Sequence, residues 1–417
     1  MQQLINLSDV SRACRATWQH LSIVLLACLL MVAQSVAEDT GTAWPDKTWQ
    51  QSTPEQEGLL TAPLQQFVAD IRSGDYGLID QLLVIRHGRV VVDEHFEQDY
   101  ASVVAKLTPE DYIGINREDP VYNYDNLDVH PYYQGTALHS LQSVTKSVTA
   151  VAIGIAIDEA HIQGVDMPAL PYFSEYRTQD GDARANAITL EDLLTMRSGI
   201  QWDLDDGYGD STNSTARLEA SDAWIQFVLD QPMDADPGRV FEYNDGVSML
   251  LGKILREATG RRIDAYANEK LFKPLGIDRF FWKTTPDGEA DTEGGLFLST
   301  HDLARIAYLY LRKGQWKGRQ VVSADWVLQS TRPHVPDTAD GREGFGYGYQ
   351  WWVTQHENGN ASIYQGIGYG GQRPIVIPEH DIVVVFNAWD IRGDHARRAQ
   401  QDFLNTVLPA ALAQASE

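Results

Sequence analysis

The alternation of apolar and polar positions divides this chain into a β-rich beginning, a helical middle and a β-rich end. After a polar lead-in over 38–57, apolar residues recur at helical spacing over 60–73 and predict an amphipathic helix. Two β-rich runs follow, 81–85 and 89–95, separated by the hairpin signal His87-Gly88. Positions 98–138 show no regular period and are rich in tyrosine (Tyr100, Tyr112, Tyr122, Tyr124, Tyr132, Tyr133), the profile of a long functional loop. The almost unbroken apolar run 147–157 reads as a buried helix. Helices are then expected over 189–196, capped by Thr189 and ended by Ser198-Gly199, and over 220–230, 246–258, 262–275, 299–313 and 323–329. β-patterning returns at 348–354, 362–365, 373–377 and 382–387, before a last helix over 393–413. The fold class this implies is α/β (α+β). One antiparallel sheet is built from the N- and C-terminal strands and flanked by the terminal helices, and a mostly helical second lobe spans roughly 150–345. A cleft between two such lobes is a natural ligand site.

The first 37 residues pattern differently. Arg12, Arg15 and His20 precede an apolar core over 21–32 that is short for a bilayer span, and Ser35-Val36-Ala37 supplies small residues for cleavage before Glu38. This predicts a signal peptide over 1–37 and a periplasmic or secreted domain over 38–417. Alternatives are a lipid anchor through Cys28, which follows Leu25-Leu26-Ala27, or an uncleaved anchor. Cys14 and Cys28 are the only cysteines, so cleavage after Ala37 leaves a chain with no disulfide and no cysteine nucleophile.

Charge narrows the partners. A net charge of −25 over 417 residues argues against nucleic acid and against anionic membrane, unless the N-terminal segment is retained or lipidated. The histidines His87, His95, His130, His356 and His395 lack metal-ligand spacing, so neither metal nor other cofactor is expected. His301-Asp302 suits a helix start. Asp203, Asp205, Asp206 and Asp210 read as a solvated acidic loop, or as a rim that binds a substrate ammonium.

Candidate chemistry begins at Ser143-Val144-Thr145-Lys146, at the head of the apolar helix. Residues i and i+3 share a helix face, so Lys146 can reach the hydroxyl of Ser143, and no other lysine in the chain has a serine three positions before it. A serine hydroxyl needs a base, and an ammonium cannot be one. Burial among Val144, Val148 and Ala150 favours the neutral amine that the role requires. The alternative is a serine that caps the helix and a lysine that snorkels to water. A second segment, Phe241-Glu242-Tyr243-Asn244-Asp245-Gly246, places a phenol in the turn before a helix, where it can exchange a proton with a lysine. A third, Gln365-Gly366-Ile367-Gly368-Tyr369-Gly370-Gly371-Gln372, offers a bare strand whose N–H groups can hold an oxyanion.

Taken in this order, the segments resemble the serine β-lactamase and penicillin-binding-protein superfamily, nearest its class C-like branch of esterases, D-amino-acid peptidases and 6-aminohexanoate-dimer hydrolases. The likeness extends through 139–147, 189–199, 294–304, 347–352 and 369–372. It implies a β-lactamase/DD-peptidase-like fold, Ser143 as acylated nucleophile, and Lys146 and Tyr243 sharing the proton work. It further implies an oxyanion hole from the N–H of Ser143 and one on the glycine strand, with Gly368, Tyr369, Gly370, Asn244 and Asp245 lining the substrate. Two departures matter. Tyr243-Asn244-Asp245 stands where many members read Tyr-x-Asn, and the extra carboxylate would oppose a neutral lysine. The third motif, as Gly366-Ile367-Gly368 with Tyr369 as donor, or as Tyr369-Gly370-Gly371 with Gln372, lacks the cation and hydroxyl that hold a lactam carboxylate. The resemblance therefore implies an ester or small-amide hydrolase, with a DD-peptidase, a weak β-lactamase or an inactive envelope protein as alternatives.

Overall fold

The computed structural model describes residues 43–99, 102, 105, 137–176, 182–204, 212–338, 345–355, 361–390 and 394–412. The N-terminal leader, most of the tyrosine-rich stretch, and Asp205, Asp206 and Asp210 lie outside them. The elements run in chain order as β1 (Gln50–Gln51), α1 (Thr61–Ser73), β2 (Ile79–Arg86), β3 (Arg89–His95), β4 (His139–Ser140), α2 (Val144–Asp158), α3 (Leu190–Leu194), α4 (Ser214–Glu219), α5 (Trp224–Leu229) and α6 (Asp245–Thr259). A helical run opening with α7 (Ile263–Ala267) leads to β5 (Phe281–Trp282), β6 (Leu296–Leu298) and α8 (Thr300–Leu311). A small ribbon of β7 (Gln315–Trp316) and β8 (Arg319–Gln320) precedes α9 (Ala324–Ser330). The chain closes with β9 (Gly346–Tyr347), β10 (Trp352–Gln355), β11 (Ala361–Gln365), β12 (Arg373–Ile377), β13 (Ile382–Ala388) and α10 (His395–Asp402), which continues helically to Leu412.

Strands β2 and β13 are apolar on both faces, a composition that is stable only where both faces are covered. They pair antiparallel at the centre of an eight-stranded sheet ordered β1-β3-β2-β13-β12-β11-β10-β9, in which only β1 and β3 run parallel. Successive side chains point to opposite faces. Leu82, Val84, Val384 and Phe386 therefore join Phe67 of α1 and Phe403 of the C-terminal helix, while Leu83, Ile85, Val383 and Val385 join the core shared with α2, α6 and α8. The expected antiparallel sheet of N- and C-terminal strands, with its covering helices and helical middle, is the observed architecture.

Local differences from the sequence pattern have physical causes. Of the expected strand 348–354 only 352–354 is strand, in β10, because Gln350 adopts φ +61° and turns inward. There it is buried, donating from Nε2 to the carbonyls of Leu193 and Leu194 and accepting from the hydroxyl of Ser248. The expected helix 220–230 shortens to α5, and α4 forms ahead of it, capped by the side chain of Asn213. Strands β4, β5 and β6 are two or three residues long, too short to register as a period, yet they form the second sheet that leads into the turn carrying Ser143. His139 of β4 fastens that turn to the main sheet through Asp80 of β2, 2.8 Å away.

Helix α2 is buried all round, and Gly154 is where it meets α9. A Cβ there would lie 2.3 Å from Nε1 of Trp326 and nearly as close to two ring carbons. Alanine gains about 1 kcal/mol of helix propensity over glycine, but overpacking against a rigid indole costs about 1–3 kcal/mol. Gly154→Ala is therefore expected to lower unfolding free energy in a urea titration, the reverse of the usual glycine-to-alanine effect in a helix.

Candidate active site

Ser143 sits at the N-terminal boundary of α2, partly exposed, but its hydroxyl makes no cap bond to the helix. It accepts a hydrogen bond from Nζ of Lys146 at 3.0 Å. The turn that presents it is tight. Val144, Thr145 and Lys146 donate their N–H groups to the carbonyls of Leu141, Gln142 and Ser143, so the bonds of the turn do not use the Ser143 N–H. Gln142, just before Ser143, is held at φ +49°, a left-handed conformation that costs a non-glycine residue of order 1 kcal/mol.

Lys146 is buried; its ammonium donates to Ser143 Oγ and to the carbonyl of Glu293 at 2.6 Å, and it forms an ion pair with Oδ1 of Asp245 at 2.7 Å. Burial alone would push its pKa down. Against it, the charge of Asp245 pulls most, and together with those of Tyr243 and Glu293 it holds the amine above the ordinary lysine value. This corrects the expectation of a neutral Lys146. The apolar neighbours along the helix are present, but the carboxylate arrives from α6 and decides the charge.

Tyr243 stands across Lys146, with Nζ 5.3 Å from the ring centroid. Its ring stacks on Trp352 at 5.8 Å and meets Tyr347 edge-on at 6.5 Å. The aromatic segment 347–352 is thus the wall that fixes the phenol. Asn244 and Asp245, expected against the substrate, are placed otherwise. Asn244 caps α6, accepting from the N–H of Val247 and donating to the carbonyl of Ile200. Asp245 is buried, with one oxygen on Lys146 and the other accepting from Thr215. Both side chains are engaged within the protein, which corrects their assignment to substrate contact.

The glycine strand continues β11. Gly366 and Gly368 donate to the carbonyls of Pro374 and Gln372, so both N–H groups face β12. N–H directions alternate along a strand, which turns that of Ile367 the other way. Tyr369-Gly370-Gly371 forms the turn into β12, with Gly370 and Gly371 at φ +85° and +106°. Gln372 is buried and donates to the Tyr369 carbonyl. The motif therefore lies as Gly366-Ile367-Gly368. A Cβ on Gly368 would fall 2.4 Å from the Leu141 carbonyl, so a bare residue is what lets this strand lie against the nucleophile turn. Gly370 sits in the turn, and Tyr369 is exposed at its edge. Arg373, the nearby cation, is buried in β12.

Three acidic residues escaped the sequence analysis: Glu293, Glu219 and Asp291. Glu293 precedes Gly294-Gly295, inside the stretch 294–304 singled out for family likeness, and that adjacency was the available signal. Glu219 ends α4, a helix without a clear period, and nothing in the sequence marks it. A largely apolar cavity of about 190 Å³ lies elsewhere in the helical region, lined by Phe173, Ile188, Val228, Met233 and Leu250 among others, and contains none of the constellation.

Because folded-state Lys146 holds its proton above the unfolded value, its contribution to stability is complete below the ordinary lysine pKa and fades only at still higher pH. Asp245→Asn leaves the ammonium buried without its partner, a loss of about 3–5 kcal/mol. The urea midpoint should fall accordingly at pH 7, and adding Lys146→Met should recover part of that loss in a double-mutant cycle.

The constellation spans Ser143 to Gly371, and comparison with known proteins covers it. Over 271 residues the chain is 29% identical to the 6-aminohexanoate-dimer hydrolase of Paenarthrobacter ureafaciens, covering 60% of this chain and 66% of that protein. Over 150 residues it is 28% identical to esterase EstB of Burkholderia gladioli, covering 34% of this chain and 37% of that protein. The chain thus spans just under two thirds of the first relative's length and far less of the second's. In three dimensions it superposes on EstCE1, a hydrolase with promiscuous acyltransferase activity, with a TM-score of 0.60 at 16% identity over 83% of this chain and 98% of that one. Identity that low speaks for the fold alone. A family model described as Beta-lactamase matches residues 74–404, from the approach to β2 into the C-terminal helix. With every residue of the constellation inside that span, the chain belongs to the β-lactamase family, whose members matched here include esterase and amide hydrolases.

Proposed function

We propose that this protein is a serine hydrolase that cleaves an ester or a small amide through an acyl-enzyme on Ser143. The observation that most supports it is a serine at a helix mouth whose hydroxyl forgoes the cap and instead meets a buried lysine at 3.0 Å. Lys146 donates to Ser143 Oγ, so the serine's own proton has to leave toward another group, and Tyr243 is the acceptor. A fixed ammonium beside a phenol favours the ionised form. Lys146 then serves as a standing charge and Tyr243 as the base. Oγ attacks the substrate carbonyl as its proton passes to the phenol. The N–H groups of Ser143 and Tyr369 hold the oxyanion. Tyr243 returns the proton to the leaving group, and a water activated by the same phenol releases the acyl group and restores the serine.

The third motif favours esters over lactams. It offers Gly366-Ile367-Gly368 where a lactam carboxylate needs a cation and a hydroxyl, and Arg373 is buried in β12. A missing charge-assisted hydrogen bond costs about 1.5–3 kcal/mol, roughly ten- to a hundredfold in rate. The names of the two relatives, an amide-dimer hydrolase and an esterase, agree with this preference. The N-terminal apolar segment supports action outside the cytoplasm, in the periplasm or beyond; among the described residues no helix is long and apolar enough to cross a membrane.

Ser143→Ala is expected to abolish both p-nitrophenyl ester hydrolysis and fluorophosphonate labelling while the circular dichroism spectrum is retained; a folded variant with full turnover would overturn the assignment. Tyr243→Phe should lower kcat by about 10²–10⁴-fold with little change in KM. On one wild-type preparation, kcat/KM for a short-chain p-nitrophenyl ester should exceed that for nitrocefin at least tenfold. Equal values would restore the penicillin-recognising alternative.

A further inference from the structure

The cavity in the helical region takes no part in the proposed chemistry. Its floor is Phe173, Ile188, Leu193, Ile200, Val228 and Leu250, all buried and all hydrocarbon in their side chains. At its rim Asp182 is exposed and Gln231 and Met233 are half-buried, so the space of about 190 Å³ opens to solvent on that side. The polar side chains of the rim are already engaged. The Asp182 carboxylate accepts from Nε of Arg184 at 3.0 Å and from Nη2 at 2.6 Å, and the same Nη2 donates to the Met233 carbonyl at 2.8 Å. Arg184 thus neutralises the one ionisable side chain among the described lining residues and ties two sides of the rim together. Nε2 of Gln231 donates to the carbonyl of Phe227 at 2.7 Å. The floor is fixed by bonds to its surroundings. The carbonyl of Leu193 accepts from Gln350 at 3.2 Å and that of Ile200 from Asn244 at 3.4 Å. Ile200 and Met233 form an antiparallel bridge, and the capping box of Thr189 and Asp192 anchors α3 beside Ile188. Val228 lies so close to α6 that a Cβ on Gly246 would fall 2.6 Å from its Cγ2. Walls pinned in this way relax only partly, which keeps the space open.

We infer that this cavity is a binding site for a small uncharged apolar molecule, a single aromatic ring or a short alkyl chain, separate from the cleft of Ser143. Size sets the first limit. An apolar cavity of about 150 Å³ stays dry and takes up benzene, and this one is somewhat larger. Water is a poor occupant, because it needs about two to four polar partners and the floor side chains supply none. An ion is a worse one. It would exchange hydration for a hydrocarbon floor, and the only charges at the rim already neutralise each other. A preformed apolar site asks little reorganisation of the protein, so most of the area the ligand withdraws from water counts toward affinity. The lining includes none of Ser143, Lys146 and Tyr243, so a molecule held here and an occupied nucleophile do not exclude each other.

Toluene and benzoate test this, since they share a ring and differ in a methyl against a carboxylate. Toluene at about millimolar concentration should raise the Tm by about 1–3 °C and titrate calorimetrically as a single site, because it binds the native state alone. Benzoate should bind at least about tenfold more weakly. Ala185→Phe and Leu250→Phe each extend a ring from a lining position into the space, and each should abolish the toluene shift; either variant that folds is sufficient. Protein labelled at Ser143 by a fluorophosphonate should keep the shift. No shift in the wild type, benzoate bound as tightly as toluene, a shift that survives both substitutions, or one lost on labelling would each overturn the site. If the protein does not label at all, the hydrolase reading fails, while the comparison of the two probes and the two variants still decides the cavity.

Discussion

An ammonium sealed from water must be compensated by the protein, and Lys146 is, from three separate parts of the chain: hydrogen bonds to its own turn and to the segment before β6, and an ion pair with the head of α6. The cost of leaving a buried charge unpaired is several kcal/mol. That cost fixes how these parts approach one another more sharply than apolar contact can, because hydrophobic burial has no direction. The aromatic wall at 347–352 and the inward-turned Gln350 then hold α2 and α6 in the same relation. The carbonyl of Gln350 accepts from Ser147 on α2 and its side chain accepts from Ser248 on α6. Ser143, Tyr243 and Lys146 are thus placed by polar bonds across helices and not by the helix that carries the motif.

The charge on Lys146 shows where local reasoning ends. Along α2 the neighbours are apolar, and desolvation taken alone favours a neutral amine. The opposing term comes from residue 245, a hundred positions away in sequence and 2.7 Å away in space. At that distance, with water excluded, the carboxylate is the largest of the attractions that together outweigh the desolvation of the amine. The sequence did carry a hint, in the acidic residue at the third place of Tyr243-Asn244-Asp245, but its weight depends on the distance.

Periodicity made most of the fold legible. The apolar residues of 81–85 and 382–387 and the almost unbroken apolar run of α2 could only be buried, and they are. What escaped was made of elements too short to have a period: β4 to β6, the helix carrying Glu219, and the break at Gln350. These are the pieces that build the site. The serine, lysine and tyrosine were visible because their spacing relates neighbours on one helix or one turn. Glu219, Glu293 and Asp291 matter through tertiary proximity, which no local spacing encodes, and Asn244 looked like a substrate contact because its role as a helix cap depends on where α6 begins.

The central pairing of the main sheet has a further consequence. Leu83 of β2 lies opposite Val385 of β13, so the two middle strands come from opposite ends of the chain. A ribosome must deliver nearly the whole polypeptide before they can meet. Until then the β2–β3 hairpin shows apolar residues on both faces, a surface prone to stray association. The glycine strand depends on the same event, since Gly366 and Gly368 are held by the strand leading into β12 and β12 is held by β13. Contacts this remote in sequence form late and slowly. The glycine strand therefore cannot be fixed against the turn of Ser143 until β13 has emerged.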